Sequence, residues 1–312
     1  NRWILNDGKY YYTNGLGFVV KNTWIGAYYL GSDGVMYTNA FTPDGYYVNE
    51  DGVYLRNQKI TVDGKDYYLN ADGKVYGWGY NGSGQLGLGN TSNYTTPVYL
   101  NMDNVIDITA RGNYTAVLKK DGTVWMAGYN GNGELGINGT SSQSSFVQVK
   151  NEDGTGFLTN IKDIESGVNT MYAITNDGEV YAWGYNGYGQ MGFGDTSSRL
   201  LPVKLNITNI KQISAGEHDT IALDNNGEVW VAGRNTEGQL GIGNSSDSAV
   251  WTKMKSSDGS KDISEIKEVS AGRYHTMLLN NNGEVYATGY NNNYQLGNGS
   301  SSTKSYIIAM TD

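Results

Sequence analysis

An all-β chain is expected: a short β-hairpin solenoid, then a β-propeller of four full and one partial four-stranded blades. Three observations lead there. An aromatic pair followed by a turn recurs four times over residues 1–74, and a longer glycine-rich block recurs five times over residues 75–312. The composition is that of short strands joined by tight turns, with 44 Gly, 26 Tyr and only 3 Pro in 312 residues, and fixed-period repeats are the mark of stacked or radial architectures.

In the first system Tyr11-Tyr12 precedes Asn14-Gly15, Tyr28-Tyr29 precedes Asp33-Gly34, Tyr46-Tyr47 precedes Asp51-Gly52, and Tyr67-Tyr68 precedes Asp72-Gly73. Asn-Gly and Asp-Gly favour hairpin turns because those turns need positive φ. A single hairpin cannot bury its aromatic face, whereas stacked neighbours can. The segments "RWILNDGKYYYTNGLGFV", "TWIGAYYLGSDGVMYT", "FTPDGYYVNEDGVYL" and "ITVDGKDYYLNADGKVY" resemble the choline-binding or cell-wall-binding repeats of Gram-positive surface proteins and toxins. The resemblance implies an aromatic cage for a quaternary ammonium held by cation–π attraction. Such a cage takes a tryptophan opening the repeat and an aromatic just before the tyrosine pair. The opening positions are Trp3, Trp24, Phe41 and Ile60, and the second positions Tyr10, Ala27, Gly45 and Asp66. Only the first repeat keeps both, so Trp3 and Tyr10, with Trp24, are the candidate choline-type residues. The competing reading makes these aromatics the solenoid core.

The second system begins its blocks at Val75, Val124, Val180, Val229 and Val285, spaced 49, 56, 49 and 56 residues apart, as in "VYGWGYNGSGQLGLGN" and "VYAWGYNGYGQMGFGD". Ahead of the last four stands a companion block, for instance "QISAGEHDTIALDNNG". Each period holds a strand, a turn at Gly112, Gly167, Gly216 or Gly272, a second strand, an Asp/Asn-Gly hairpin, a third strand and a fourth apolar stretch. Four short strands in about 52 residues make a propeller blade. The blocks resemble regulator-of-chromosome-condensation repeats, which implies a propeller of usually seven blades. Seven such blades need about 360 residues, more than lie between 75 and 312, so a longer natural chain or a smaller, open propeller is expected. The start at Asn1, without Met or signal peptide, fits either a processed protein or, as the favoured reading, a piece of a longer one. The domains are expected at 1–72 and 73–312, sharing a strand near Tyr67–Trp78.

Charge and composition exclude several classes. The net charge is −9, with −2 in residues 1–72 and −7 in 73–312, so nucleic acid and anionic membranes are not expected partners. Without Cys there is no disulfide, thiolate or Cys-ligated zinc. No apolar run reaches the roughly 18 residues of a membrane helix.

Several motifs have plainer explanations. Gly82–Gly87, Gly131–Gly136 and Gly187–Gly192 match G-x-G-x-x-G, but a dinucleotide site needs a helix to follow, and here a polar loop and a strand follow. These glycines are expected to serve turns and close backbone contact. His218 and Asp219 are neighbours, yet a triad also needs a positioned nucleophile. His275 takes a position that reads Thr115, Thr170 and Asp219 in the other periods, which points to packing. Asp224–Gly227 and Asp177-Gly178 lack the distal ligands of a calcium loop and suit hairpin turns.

One position stands out. Tyr80, Tyr129, Tyr185 and Tyr290 follow the blade glycine, and Arg234 takes that place in the fourth block. Repetition puts them on one rim, and Tyr and Arg are favoured at binding hot spots; the alternative is packing between blades. The expected function is therefore non-enzymatic recognition or adhesion by a secreted, cell-wall-associated bacterial protein, with propeller loops binding a protein or glycan and with no cofactor or metal. The alternatives are a choline or carbohydrate anchor with the propeller as spacer, and the targeting region of a larger enzyme or toxin.

Overall fold

Turn chemistry sets the first strands. Asp7 and Gly8, with φ of 49° and 71°, form a two-residue turn of the kind that matches strand twist. It joins β1 (Arg2–Asn6) to β2 (Lys9–Thr13), with Trp3 opposite Tyr12 and Leu5 opposite Tyr10. Asn14-Gly15, expected at a hairpin tip, lies in the turn that carries β2 to a single bridge between Thr13 and Val19. The next hairpin repeats the plan: β3 (Thr23–Ile25) pairs with β4 (Tyr28–Leu30), and Leu30 bridges Met36 across the Asp33-Gly34 turn. Three further two-stranded pairs follow: β5 (Ala40–Phe41) with β6 (Tyr47–Val48), β7 (Gln58–Val62) with β8 (Lys65–Leu69), and β9 (Tyr76–Gly79) with β10 (Tyr94–Tyr99).

The computed structural model describes residues 2–310 apart from 16, 26, 39, 42–46, 49–57, 63–64 and 70–75, and describes only the backbone at 24, 41, 47, 58–62 and 65–69. Gly45 and the turns Asp51-Gly52 and Asp72-Gly73 lie outside the described residues. The stretch Tyr67–Trp78, expected as one shared strand, is divided between β8 and β9, with 70–75 outside the described residues. The chain forms two compact units, Asn1–Gly79 with Tyr94–Ile106, and Tyr80–Asn93 with Asp107–Asp312.

Four four-stranded antiparallel sheets follow, each in chain order, and all of their strand residues but Val105 and Ile106 belong to the second unit. The first is β11 (Val105–Arg111), β12 (Tyr114–Lys119), β13 (Val124–Gly128) and β14 (Gln143–Gln148). The second is β15 (Ile161–Ser166), β16 (Thr170–Thr175), β17 (Val180–Gly184) and β18 (Arg199–Lys204). The third is β19 (Ile210–Ala215), β20 (Asp219–Asp224), β21 (Val229–Gly233) and β22 (Ser248–Lys253). The fourth is β23 (Ile266–Ala271), β24 (His275–Asn280), β25 (Val285–Gly289) and β26 (Lys304–Ala309). With the two-stranded β9–β10 pair, these are the four full and one partial blades expected. Every regular element among the described residues is a strand.

Both faces of each inner sheet are covered, so β16 and β20 are buried at every residue and read as continuous rather than alternating patterns. Ala222 packs in the cluster between the second and third sheets, with Tyr172, Met191, Ile210 and Ile213; Ile221 and Leu223 pack between the third and fourth, with Leu240, Ile266 and Leu278. Neighbouring first strands are also stitched by side chains. Gln212 Nε2 donates to Val269 O at 2.9 Å while its Oε1 accepts from Val269 N at 3.1 Å, and Ser214 Oγ accepts from Ala271 N at 3.0 Å. The Arg111 guanidinium donates to the Ala215 carbonyl, linking the first sheet to the third.

The recurring loops are held by one buried asparagine each. In Asn81, Asn130, Asn186, Asn235 and Asn291 the Oδ1 accepts a loop N–H at 2.8–2.9 Å, and Nδ2 donates onward within the loop. The glycines of the G-x-G pattern do what was expected of them. Gly84 has φ +81°, and a methyl there would come within 2.5 Å of Ser144 Cα in the first sheet's fourth strand. This is loop-to-strand contact, with no helix to receive a phosphate.

Candidate functional site

In the first unit the hairpin register gathers rings around Trp3. The alternation of strands puts Trp3, Leu5, Tyr10 and Tyr12 on one face. The Trp3 ring meets Tyr12 at 5.2 Å and 67°, and Tyr28 of the next hairpin at 5.2 Å and 71°. Both are edge-to-face contacts, the favoured geometry for aromatic pairs. Trp3 remains 36 % exposed. Tyr10 faces Leu5 one pair further along and is exposed. Trp24 stands in β3 opposite Tyr29; its side chain lies outside the described residues. Tyr12 and Tyr28 were read from sequence as members of the tyrosine pairs but not as site residues. The signal that finds Tyr12 is the Asp7-Gly8 turn, which fixes it opposite Trp3.

In the second unit, the position after the blade glycine lies at one end of each sheet. The Tyr129, Tyr185, Arg234 and Tyr290 amides donate to Asn113, Asn169, His218 and Tyr274 carbonyls at 2.8–2.9 Å. That geometry puts each beside the turn between its sheet's first two strands. The Tyr80, Tyr129 and Tyr185 rings lie over the glycine two residues on, at Gly82, Gly131 and Gly187. Tyr80 is 60 % exposed and Tyr129 39 %.

Three of the five candidates belong to two groups of contacts that meet at the chain neighbours His218 and Glu217. Tyr185 meets Tyr188 at 6.4 Å and His218 at 5.7 Å, and Tyr188 stacks on His218 at 4.6 Å and 19°. Beside His218, Glu217 accepts two bonds from Arg273, at 2.9 and 3.1 Å. Arg273 lies over Tyr274 at 5.0 Å and Arg234 over the same ring at 4.8 Å. Tyr274 meets Tyr290 edge-to-face at 6.3 Å. Arg234 Nε also donates to Thr236 Oγ1 at 2.8 Å. Sequence reading found Tyr185, Arg234 and Tyr290 but not Glu217, Arg273 and Tyr274, which sit in the turns between first and second strands.

Electrostatics follow from these contacts. The Arg273 bonds hold the Glu217 carboxyl down at about 2. Burial lowers His218, opposed by Glu217 and helped by Arg234 and Arg273. Asp219 points inward beneath the rim: it is 1 % exposed, and burial pushes its carboxyl up to about 8. Gln239 lies alongside without closing a hydrogen bond; Asp219 Oδ1 and Oδ2, Gln239 Nε2 and His218 Nδ1 are buried without partners. His218 and Asp219 thus form no acid–base pair. Pairing with the blade glycine makes Tyr114, not Thr115, the counterpart of Thr170, Asp219 and His275, because the first sheet's turn is one residue shorter. The Asp224 turn is a hairpin: Asp224 Oδ1 accepts from Asn226 N and Glu228 N at 2.9 and 3.0 Å. Among the described residues no group of three or more His, Asp or Glu could hold a metal ion.

The RCC1-like domain family matches residues 60–310. The chain belongs to that family. A choline-binding repeat also matches, over residues 18–54. The ultraviolet-B receptor UVR8 of Arabidopsis thaliana is 31 % identical over 254 residues, covering 80 % of this chain and 56 % of the receptor. The human X-linked retinitis pigmentosa GTPase regulator is 30 % identical over 145 residues, covering 45 % of this chain and 14 % of the regulator. The chain therefore spans little more than half of the first relative and a small part of the second. Among solved structures, Prp20p from Saccharomyces cerevisiae gives a TM-score of 0.67 at 22 % identity, over 79 % of this chain and 61 % of that one. Human WBSCR16 gives 0.65 at 23 % identity, over 77 % and 63 %. These likenesses establish the propeller fold of the RCC1-like part.

Proposed function

We propose that the chain is a non-enzymatic recognition module of a secreted, surface-associated bacterial protein, and that the rim from Tyr185 to Tyr290 binds a protein partner presenting carboxylates. Residues 1–72 form the wall-directed part and 73–312 the recognition part. The observation that carries this reading is two groups of ring and cation contacts that span three sheets and meet at the chain neighbours His218 and Glu217. Tyrosine and arginine give large contact area with polar tips, as binding hot spots do. Arg273 is neutralised by Glu217, whereas no ion pair is recorded for Arg234 among the described residues. In a chain of charge −9, an arginine among tyrosines favours an acidic partner segment. Tyr80 and Tyr129 extend the same rim position.

The test is a panel of immobilised surface proteins and glycans, probed with the wild-type chain and an Arg234→Ala/Tyr274→Ala variant whose melting is unchanged. A loss of about tenfold or more in affinity for a protein ligand is expected. Undiminished binding by the variant, or a panel without a protein binder, returns these side chains to packing.

A second reading is favoured by the Trp3, Tyr12 and Tyr28 rings together with the choline-binding repeat match. It makes the first unit an anchor that accepts a quaternary ammonium against an aromatic face. A choline-bearing cell wall would supply that group.

A further inference from the structure

At the opposite end of the third sheet from the rim lies a cleft of about 460 Å³, with Trp230 and Trp251 on one side and Asn206, Asn226 and Asp224 among its other walls. We propose that this cleft is a binding site for a neutral saccharide, with a pyranose ring stacked on the indoles and its hydroxyls bonded by the asparagines and Asp224.

The cleft is built rather than incidental. Both tryptophans pack against the core between the second and third sheets while staying partly exposed. A methyl at Gly192 would strike the Trp251 indole, so this glycine, at φ +69°, lets the ring approach the loop closely. Trp251 Nε1 is buried and donates to nothing among the described residues. Trp230 is covered on one side by Lys253, 5.0 Å from its ring, and Lys253 is held by Glu228 at 2.7 Å. Two fixed indoles therefore line a space within the roughly 300–1,000 Å³ of small-ligand sites.

The polar walls select the ligand class. Asn206 and Asn226 are exposed, and no hydrogen bond within the chain is recorded for either side chain among the described residues. Each offers a donor and an acceptor, the pair of functions that adjacent hydroxyls require. Asp224 supplies one carboxylate, its Oδ1 fixed by two backbone N–H groups. No Lys or Arg lines the cleft, which disfavours phosphates and other anions. Aromatic faces with a few placed amides and one carboxylate suit a polyhydroxylated ring that is apolar on one face and polar at its edge.

The repeat supplies an internal comparison. The corresponding cleft one sheet earlier, about 560 Å³, has Tyr181 where the third sheet has Trp230, and Glu152, Asp153 and Glu179 in its walls. Pro202 occupies the register position of Trp251. That cleft keeps the place but not the paired indoles, so saccharide binding is expected at the third sheet and not at the second.

The test is tryptophan fluorescence of the whole chain titrated with glucose, galactose, mannose, N-acetylglucosamine and their common disaccharides. At least one saturable change is expected. Trp230→Ala should weaken it by about tenfold or more, and Asn226→Ala, at an exposed residue that leaves the core intact, by several-fold. Arg234→Ala at the rim and Tyr181→Ala in the acidic cleft should leave it unchanged, which separates this site from the rim reading. No saturable change with any of these sugars overturns the proposal, as does binding that survives both Trp230→Ala and Asn226→Ala.

Discussion

Replacing Asp219 by Asn should flatten the pH dependence of stability above pH 4. Asp219 begins β20 and is 1 % exposed, with neither carboxyl oxygen hydrogen-bonded. Burial raises it to about 8; Gln239, Arg111 and Arg234 offset part of that effect, and Glu217 adds to it. The ordinary value is 3.8, so between the two values the folded state holds a proton that the unfolded chain has released. Stability from this group is therefore complete below pH 4 and is lost as pH rises towards 8. At 1.36 kcal/mol per unit, a displacement of roughly four units corresponds to about 6 kcal/mol over that window. For a unit of this size that is on the order of 10–20 °C in Tm. His218 and His275 are lowered by burial and slope the other way, gaining stability as pH rises, but they are common to both proteins. Melting followed by circular dichroism from pH 4 to 8.5 should show the two curves meeting near pH 4. They should then diverge, with Asp219→Asn the more stable at pH 8. Parallel curves, or a variant that melts lower at pH 8, would refute the reasoning.

Two further outcomes are expected. Asn186→Ala removes the acceptor for Met191 N at 2.9 Å and the donor to Asp195 O at 3.0 Å; denaturant unfolding should show a loss of about 2–4 kcal/mol, against under about 1 kcal/mol for the exposed Asn225→Ala. The wild-type chain should be retained on choline-agarose and released by free choline; Trp3→Ala should abolish retention while Tyr10→Ala, at a ring not packed on Trp3, reduces it less.

Much of the propeller was legible because its signals are local and repeated. The hairpin Asp/Asn-Gly turns, the glycine before each rim residue and the Asn-x-x-Gly-Gln-Leu-Gly loops each state a backbone requirement within a few residues. What stayed hidden depends on register or on distant strands. Asp7-Gly8 decides that Trp3 faces Tyr12, yet Asn14-Gly15 carries the same dipeptide signal and lies at the repeated spacing. The shorter turn at Gly112 shifts the first sheet by one place, so counting from the glycine selects Thr115 where the pairing selects Tyr114. Trp230 and Trp251 sit 21 residues apart on adjacent strands, and only the cross-strand register places them beside one cleft. Glu217 and Arg273 lie in successive companion blocks, and a salt bridge between turns of different sheets leaves no periodic trace.

The third sheet brings these features together. Strand β20 runs from Asp219 at the rim to Asp224 at the cleft, about 17 Å for six residues, and all six are buried. Gln212 and Ser214 clamp its neighbour β19 to the fourth sheet, and Asn235 staples the loop that carries Arg234. Side chains presented from such a strand lose little freedom on binding, and preorganisation of this kind favours affinity without enlarging the contact. The same rigidity explains how Asp219 can stay buried and unpaired: a mobile turn would let water reach it and restore its ordinary titration. A buried carboxyl that titrates near 8 is thus also a report on how firmly the rim above it is held. Any change that loosens the Gly216–His218 turn should lower that value before it melts the sheet.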